Sequence, residues 1–290
     1  MYKIAILGCE NSHADAFVDY ALNSGKISDV EIVGVYSDEE SANERLREKF
    51  GVYTAKSYDE FVGKIDGLMI TARHGDNHYK YAKPYIESGI PMFIDKPICI
   101  DEKEAVTFMK DLKEHNVRVT GGSCCVYDSL VQHLKSAIEC GRYGKAFGGF
   151  LRAPLGSNEK YGGFFFYSQH LVQVMCEIFG YYPESVKMYE KGDVLTYVAR
   201  YKDYDIVGEF VEGNYTYYAS VSLEKDVLGD TYPIDASCFA IEFEHFYKLL
   251  KGEEQRQSYE EFIAPIAILN AMKRSLESGN EEKINKIEEI

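Results

Sequence analysis

The sequence predicts an α/β protein: an N-terminal doubly wound parallel sheet, followed by an α+β domain with an open, mostly antiparallel sheet. Two observations predict it. Up to residue 120, short apolar runs alternate with capped amphipathic helices, the pattern of a parallel sheet covered on both faces. From residue 184 to 223, four strand-like runs follow at hairpin spacing. The pattern changes after Gly121-Gly122, so the expected domains are residues 1–122 and 123–290.

The elements follow in order. Residues 3–7 are apolar and closed by Gly8, and a polar-capped helix spans about 12–23 with Ala14, Phe17, Val18 and Ala21 on one face. Residues 30–36 form a second strand, 39–50 a helix ended by Gly51, and 67–71 a third strand. A helix over about 77–88 stops at Gly89, residues 92–94 are the next strand, 101–115 a capped helix and 117–120 a further strand. Beyond the glycine pair, helices are expected over about 129–139 and 164–179, with an extended stretch at 146–153 between them. Strands at 184–190, 194–201, 205–212 and 215–223 are separated by turn residues such as Lys191-Gly192-Asp193 and Glu212-Gly213-Asn214. Two last helices, about 240–250 and 259–278, are expected to pack back near the first domain, and the charged tail from Asn280 to fray.

Composition removes several function classes. A chain of 290 residues suits two domains, or one large one with an appendage, and its net charge of -15 repels phosphate backbones and anionic membranes. Nucleic-acid binding and membrane association are therefore not expected. The N-terminal apolar run is too short for a signal peptide, and no stretch approaches transmembrane length. Seven cysteines without a CxxC pair read as reduced, mostly buried thiols in a cytoplasm. The 24 tyrosines suggest a polar-aromatic sheet face that a partner subunit or the C-terminal helices would cover, which points to a homo-oligomer, dimer or tetramer, in the first case.

Four stretches carry chemistry. The first is Met92 to Pro97, where an apolar strand ends in Asp95, Lys96 and a stiffening proline. Ligands of open α/β sheets bind outside the carboxyl ends of strands, so Lys96 is either a site residue or a plain surface lysine. The second is the first turn, Gly8-Cys9-Glu10-Asn11-Ser12-His13. Against a GxGxxG dinucleotide turn only Gly8 matches; Glu10 and His13 replace the second and third glycines. A carboxylate roughly 4 Å from a phosphate would repel it by about 4 kcal/mol at an effective dielectric of about 20, unless it turns away. The helix N-terminus at Ser12 still offers amide donors to an anion.

Strand two ends in Tyr36-Ser37-Asp38-Glu39-Glu40. An acid there accepts from an adenosine ribose and repels a 2′-phosphate, favouring NAD over NADP; Ser37 holds the expected position and Asp38 the next. The same acids also suit the start of a helix. Strand three ends in Thr71-Ala72-Arg73-His74-Gly75-Asp76-Asn77-His78. His74 and His78 have a metal-pair spacing only if both lie on one helix, and Gly75 with a cap at Asp76 or Asn77 argues against it, so no metal is expected. His78 is expected at the helix start near a cofactor ribose.

The last stretch is Tyr161-Gly162-Gly163 to His170. His170 lies on a helix with Tyr167 one turn before and Gln173 one turn after. An imidazole can shuttle protons while a lysine polarises the same oxygen; alternatively His170 and Tyr167 are hydrogen-bonded core residues.

Taken together, the chain resembles the Gfo/Idh/MocA oxidoreductases. Met92 to Pro97 is similar to that family's strand ending in Glu-Lys-Pro, with Asp95 for Glu. Thr71 to His78 is similar to its Thr-Pro-x-x-x-His region without the proline, and Gly162-Gly163 to His170 to its Gly-Gly segment ending in Asp-x-Gly-x-His. The resemblance implies an N-terminal Rossmann domain, NAD(P), and hydride transfer from a sugar- or polyol-like hydroxyl. It implies that Lys96 orients and polarises the substrate oxygen, with His170 the acid/base or its helper. Cofactor contacts are expected from Gly8, Glu10, Asn11, Ser12, His13, Ser37, Asp38, Thr71, His74, His78, Asp95 and Lys96. Two departures stand out: Glu10 in the turn, and Phe166 where the family has Asp, four residues before the histidine. Tyr167 is the candidate replacement for that Asp, and Arg152 and the Tyr161 region are expected on the substrate side. Two other outcomes are a non-catalytic sensor or partner subunit that keeps the fold, and NAD-assisted elimination of a glycosidic group.

Overall fold

The computed structural model describes residues 1–234 and 236–287. In chain order it has β1 (Tyr2–Leu7), α1 (Ser12–Asn23), β2 (Val30–Tyr36), α2 (Glu40–Phe50), β3 (Gly67–Ile70), α3 (Asp76–Ile86), β4 (Met92–Asp95), α4 (Glu102–Glu114) and β5 (Val119–Gly122). There follow α5 (Ser129–Glu139), β6 (Ala146–Pro154), α6 (Phe165–Phe179), β7 (Ser185–Lys191), β8 (Val194–Arg200), β9 (Asp205–Val211), β10 (Tyr217–Leu223) and β11 (Val227–Tyr232). The last elements are α7 (Ala236–Leu250), α8 (Tyr259–Ser278) and the short β12 (Glu282–Lys283). The chain forms two compact units. One comprises Met1–Cys99, Glu104–Gly122 and the stretch from α7 to Tyr259; the other comprises Ile100–Lys103, Ser123–Ile234 and the described residues from Glu260. The two closing helices thus divide, α7 with the first unit and nearly all of α8 with the second.

The first unit holds a five-stranded parallel sheet in the order β2-β1-β3-β4-β5. The order reverses between β1 and β3, which makes a crevice at the carboxyl ends of those strands. Every residue of β3 and β4 is buried, as a strand covered on both faces requires. Ile4, Ile6, Phe17, Val35, Met69 and Phe93 form the core with Phe243, Phe246 and Leu250 of α7. β5 extends two residues beyond the expected end and runs through the glycine pair. Gly121 pairs with Ile94 at φ +130°, and a Cβ there would lie 2.0 Å from the Ile94 carbonyl oxygen. These glycines therefore serve strand packing as well as the change of domain.

The second unit holds a seven-stranded sheet in the order β11-β10-β6-β9-β8-β7-β12. It is antiparallel except for the parallel pair β6–β9. One face is apolar and buried, with Leu151, Met188, Tyr197, Ala199, Ile206, Phe210, Ala219 and Val221. The opposite face carries Phe150, Arg152, Tyr189, Val198, Val207, Glu209 and Tyr218, all partly or well exposed. No described helix is long and apolar enough to cross a membrane.

Candidate functional site

In the first unit the expected cofactor residues gather at the reversal point of the sheet. Gly8 ends β1 at φ +77°, and a Cβ on it would lie 2.5 Å from the Ala72 main chain. Only glycine fits, because the chain leaving β3 passes directly against the turn at Ala72. The Thr71 hydroxyl is buried and donates to the Gly8 carbonyl at 2.9 Å. Asn11, rather than Ser12, caps α1: its carboxamide oxygen accepts from the His13 and Ala14 amides at 2.9 and 3.3 Å. Its amide nitrogen donates to the Thr71 carbonyl at 2.6 Å and to Asp95 Oδ2 at 3.0 Å. Both residue types are common caps, but the Asn11 carboxamide also reaches the ends of two strands, β3 and β4. Ser12 is exposed at the first position of the helix.

Asp95 and Lys96 close β4. Asp95 is fully buried and its Oδ2 lies 2.6 Å from His13 Nδ1 in a charge contact that lacks hydrogen-bond angles. Burial pushes the Asp95 carboxyl up, but the charge and contact of His13, then Lys96, outweigh it and hold the group at about 2. The Lys96 amide donates to Asp95 Oδ1 at 2.7 Å, and the Lys96 side chain is 8% exposed. Lys96 is thus far from an ordinary surface lysine. His13, in place of a glycine, is buried with its ring 4.5 Å from the Phe239 ring centroid on α7.

The remaining expected residues have defined partners. Glu10 accepts from the Ser37 hydroxyl at 2.8 Å and from the Arg73 amide at 3.0 Å. Asp38 accepts from Tyr36, Tyr81 and Lys80, and these bonds outweigh its partial burial to lower its pKa. His78 is buried between the Ile98 and Ala72 carbonyls, 3.2 and 2.9 Å from its two ring nitrogens, so its ring joins the turn after β3 to the chain after β4. His74 lies outside α3, with Nδ1 accepting from the Asp76 amide at 3.3 Å, so the two histidines do not share a helix.

One residue of this unit escaped the sequence analysis. Glu242 of α7 is buried, and neither carboxylate oxygen has a hydrogen-bond partner among the described residues. A ligating atom of His13 lies within 4.8 Å of it. Burial first, then the charges of Asp95 and Cys238, push its pKa well above the usual range, against an opposing pull from Lys96. A buried carboxyl with a raised pKa therefore stands where it feels the charges of Asp95 and Lys96. In sequence it is one more acid in a helix; its position four residues before the core Phe246 was the only available signal.

In the second unit His170 is buried on α6, with Nδ1 2.7 Å from Ser123 Oγ and 3.5 Å from Cys125 Sγ. Ser123 is itself held: its amide donates to Gln173 Oε1 at 2.8 Å, and its hydroxyl accepts from the Cys125 amide at 3.2 Å. Gln169 donates to the same Gln173 oxygen at 3.1 Å. Phe166, in place of an acid, lies 5.3 Å from the Tyr161 ring. Tyr167 meets His170 edge-on at 5.2 Å between ring centroids, and Tyr217 does so at 6.4 Å. Ser123 and Gln173, rather than an acid one turn earlier, orient the imidazole. Arg152 lies on the open face of the sheet, donating to Glu209 at 2.8 Å and Asn214 at 3.2 Å. Six of the seven cysteines are buried, and none forms a disulfide among the described residues.

These features define a two-unit α/β protein whose first unit has the sheet order and crevice of a dinucleotide-binding domain and whose second presents a buried, oriented histidine. Residues 2–123 match the model of the Gfo/Idh/MocA oxidoreductase family, NAD-binding Rossmann fold. Over 142 residues, 48% of the chain, it is 30% identical to glucose-6-phosphate 3-dehydrogenase of Bacillus subtilis; the aligned segment spans 38% of that relative. Two solved structures share the whole fold. A putative myo-inositol dehydrogenase from Sinorhizobium meliloti superposes with a TM-score of 0.83 at 18% identity, covering 98% of this chain and 100% of that one. Scyllo-inositol dehydrogenase from Lactobacillus casei, solved with NAD(H) and scyllo-inositol, gives 0.83 at 14% identity, covering 98% and 99%.

Proposed function

We propose that the protein is an NAD-dependent oxidoreductase acting on a hydroxyl of a sugar- or polyol-like substrate. The observation that carries this reading is Lys96: an 8%-exposed lysine at the carboxyl end of an interior parallel strand, one strand away from the reversal point of the sheet. The residues there fit a dinucleotide. Glycine is enforced at the first turn, and the Glu10 carboxylate after β1 stands against Ser37 after β2, which favours NAD over NADP. Gly8, Glu10, Asn11, Ser12, His13, Ser37 and Thr71 would hold the adenosine and phosphate part, and Asp95 and Lys96 the nicotinamide part. When bound, the nicotinamide supplies the acceptor for the hydride of the carbinol carbon.

Lys96 donates a hydrogen bond to the substrate oxygen and stabilises its developing charge. His170 takes the hydroxyl proton on Nε2 while Nδ1–H donates to Ser123. Tyr167 keeps the imidazole from turning by edge contact. Six buried cysteines outside any disulfide are in keeping with a cytoplasmic location. The open sheet face of the second unit, with Phe150, Val198, Val207 and Tyr218, is the surface through which a homo-oligomer forms.

The test is calorimetric titration of NAD and NADP into dialysed protein already checked for co-purified nucleotide. Saturable binding of NAD, or NAD carried through purification, is expected. A folded protein that holds and binds neither nucleotide contradicts the reading and favours a sensor. Release of an aglycone without net NADH would indicate NAD-assisted elimination instead.

A further inference from the structure

We propose that Glu10 is the carboxylate that reads the adenosine ribose and sets the choice of NAD over NADP. The inference rests on the NAD-dependent reading above. In dinucleotide-binding sheets that task falls to an acid at the end of the second strand. Here the position is Ser37, buried and uncharged, and its hydroxyl donates to Glu10 Oε2 at 2.8 Å. The charge absent from β2 is supplied from the turn after β1.

The carboxylate is held at both oxygens. Oε2 takes the Ser37 hydroxyl, after β2, and Oε1 takes the Arg73 amide, after β3, at 3.0 Å. It therefore spans the strand ends on either side of β1, where the sheet order reverses. A carboxylate has about four acceptor positions, so about two remain open. A ribose diol presents two donors; a 2′-phosphate would bring a second anion against the first.

Asp38 is poorly placed for the same task, although the sequence suggests it. Its Oδ1 accepts from the Tyr36 hydroxyl at 2.5 Å, and its Oδ2 from Tyr81 at 2.7 Å and Lys80 at 3.3 Å. With three donors bound, little acceptor capacity is left for a ligand. The glutamate that breaks the glycine pattern thus has a use: it restores the charge that Ser37 lacks.

The test compares dissociation constants for NAD and NADP in wild type, Glu10→Gln, Asp38→Asn and the double variant Glu10→Gly with Ser37→Asp, each checked for folding by thermal melting. Wild type should prefer NAD. Glu10→Gln should weaken NAD binding by about 10- to 100-fold and narrow the preference, since hydrogen bonds to a charged acceptor are lost. Asp38→Asn should leave the preference in place. The double variant, which returns the acid to β2, should recover it, and it decides the matter if Glu10→Gln fails to fold. An unchanged preference in Glu10→Gln, or tighter NAD binding there, overturns the inference while leaving the cofactor reading intact. Wild type that binds neither nucleotide overturns both.

Discussion

Ser123 Oγ lies 2.7 Å from His170 Nδ1, and both side chains are buried. The imidazole is oriented from a loop 47 residues earlier in the chain rather than from its own helix. Ser123→Ala should lower kcat by about tenfold with little change in KM, because the proton transfer and not binding is affected. The acidic limb of the kcat profile should move to lower pH, since the lost hydrogen bond favours the charged ring. A purely structural serine would shift the melting temperature and leave that limb in place.

Asp95 makes stability fall in acid. Its folded pKa of about 2 lies below the unfolded value near 3.8, so its contribution is present above pH ~4 and is lost as pH falls through ~2. The contribution is about 2 kcal/mol. Asp95→Asn should destabilise the protein at pH 7 by about 3 kcal/mol, because His13 loses its buried partner. It should also flatten the fall between pH ~4 and ~2. Urea melts across that range check both effects; parallel curves for the two proteins would contradict them.

Glu242 acts in the opposite sense. Its folded pKa is raised, so its contribution is present below the unfolded carboxylate value and is lost as pH rises. Glu242→Gln should therefore gain stability over wild type as pH is raised from 5 to 8. A carbonyl stretch of a protonated carboxyl, present in the infrared spectrum of wild type at neutral pH and absent from the variant, checks the proton directly.

Much of the fold was legible in the sequence because burial leaves a pattern. β3 and β4 are continuous apolar runs, and α1 shows Ala14, Phe17, Val18 and Ala21 on its buried face. β11 was not expected. It is an exposed edge strand, with Gly229 and Asp230 breaking any apolar alternation. The parallel β6–β9 pair was hidden because hairpin spacing describes neighbours in sequence, and those strands are not neighbours. Within the site, Lys96 and His170 could be singled out from their local context. Partners such as Ser123 for His170 and Glu242 beside Asp95 depend on long-range packing, which no local spacing records. Glu10 was legible only as a departure; its two hydrogen bonds give the departure a physical reason.

Val207 lies on the open sheet face, 36% exposed, between Val198 of β8 and Phe150 of β6. Val207→Lys should shift the protein from oligomer to monomer in light scattering, without changing its melting profile as a monomer. Wild type that is monomeric at all concentrations would show that this face is not an interface.

The most direct measurement is NADH formation by wild type and Lys96→Ala, followed by absorbance over a panel of polyols, inositols, free sugars and sugar phosphates with NAD in excess. Wild type should reduce NAD with at least one member of the panel. Lys96→Ala should do so about 10²- to 10³-fold more slowly at saturating NAD. No turnover by an NAD-loaded wild type, or full activity in Lys96→Ala, would contradict an oxidoreductase built on this lysine.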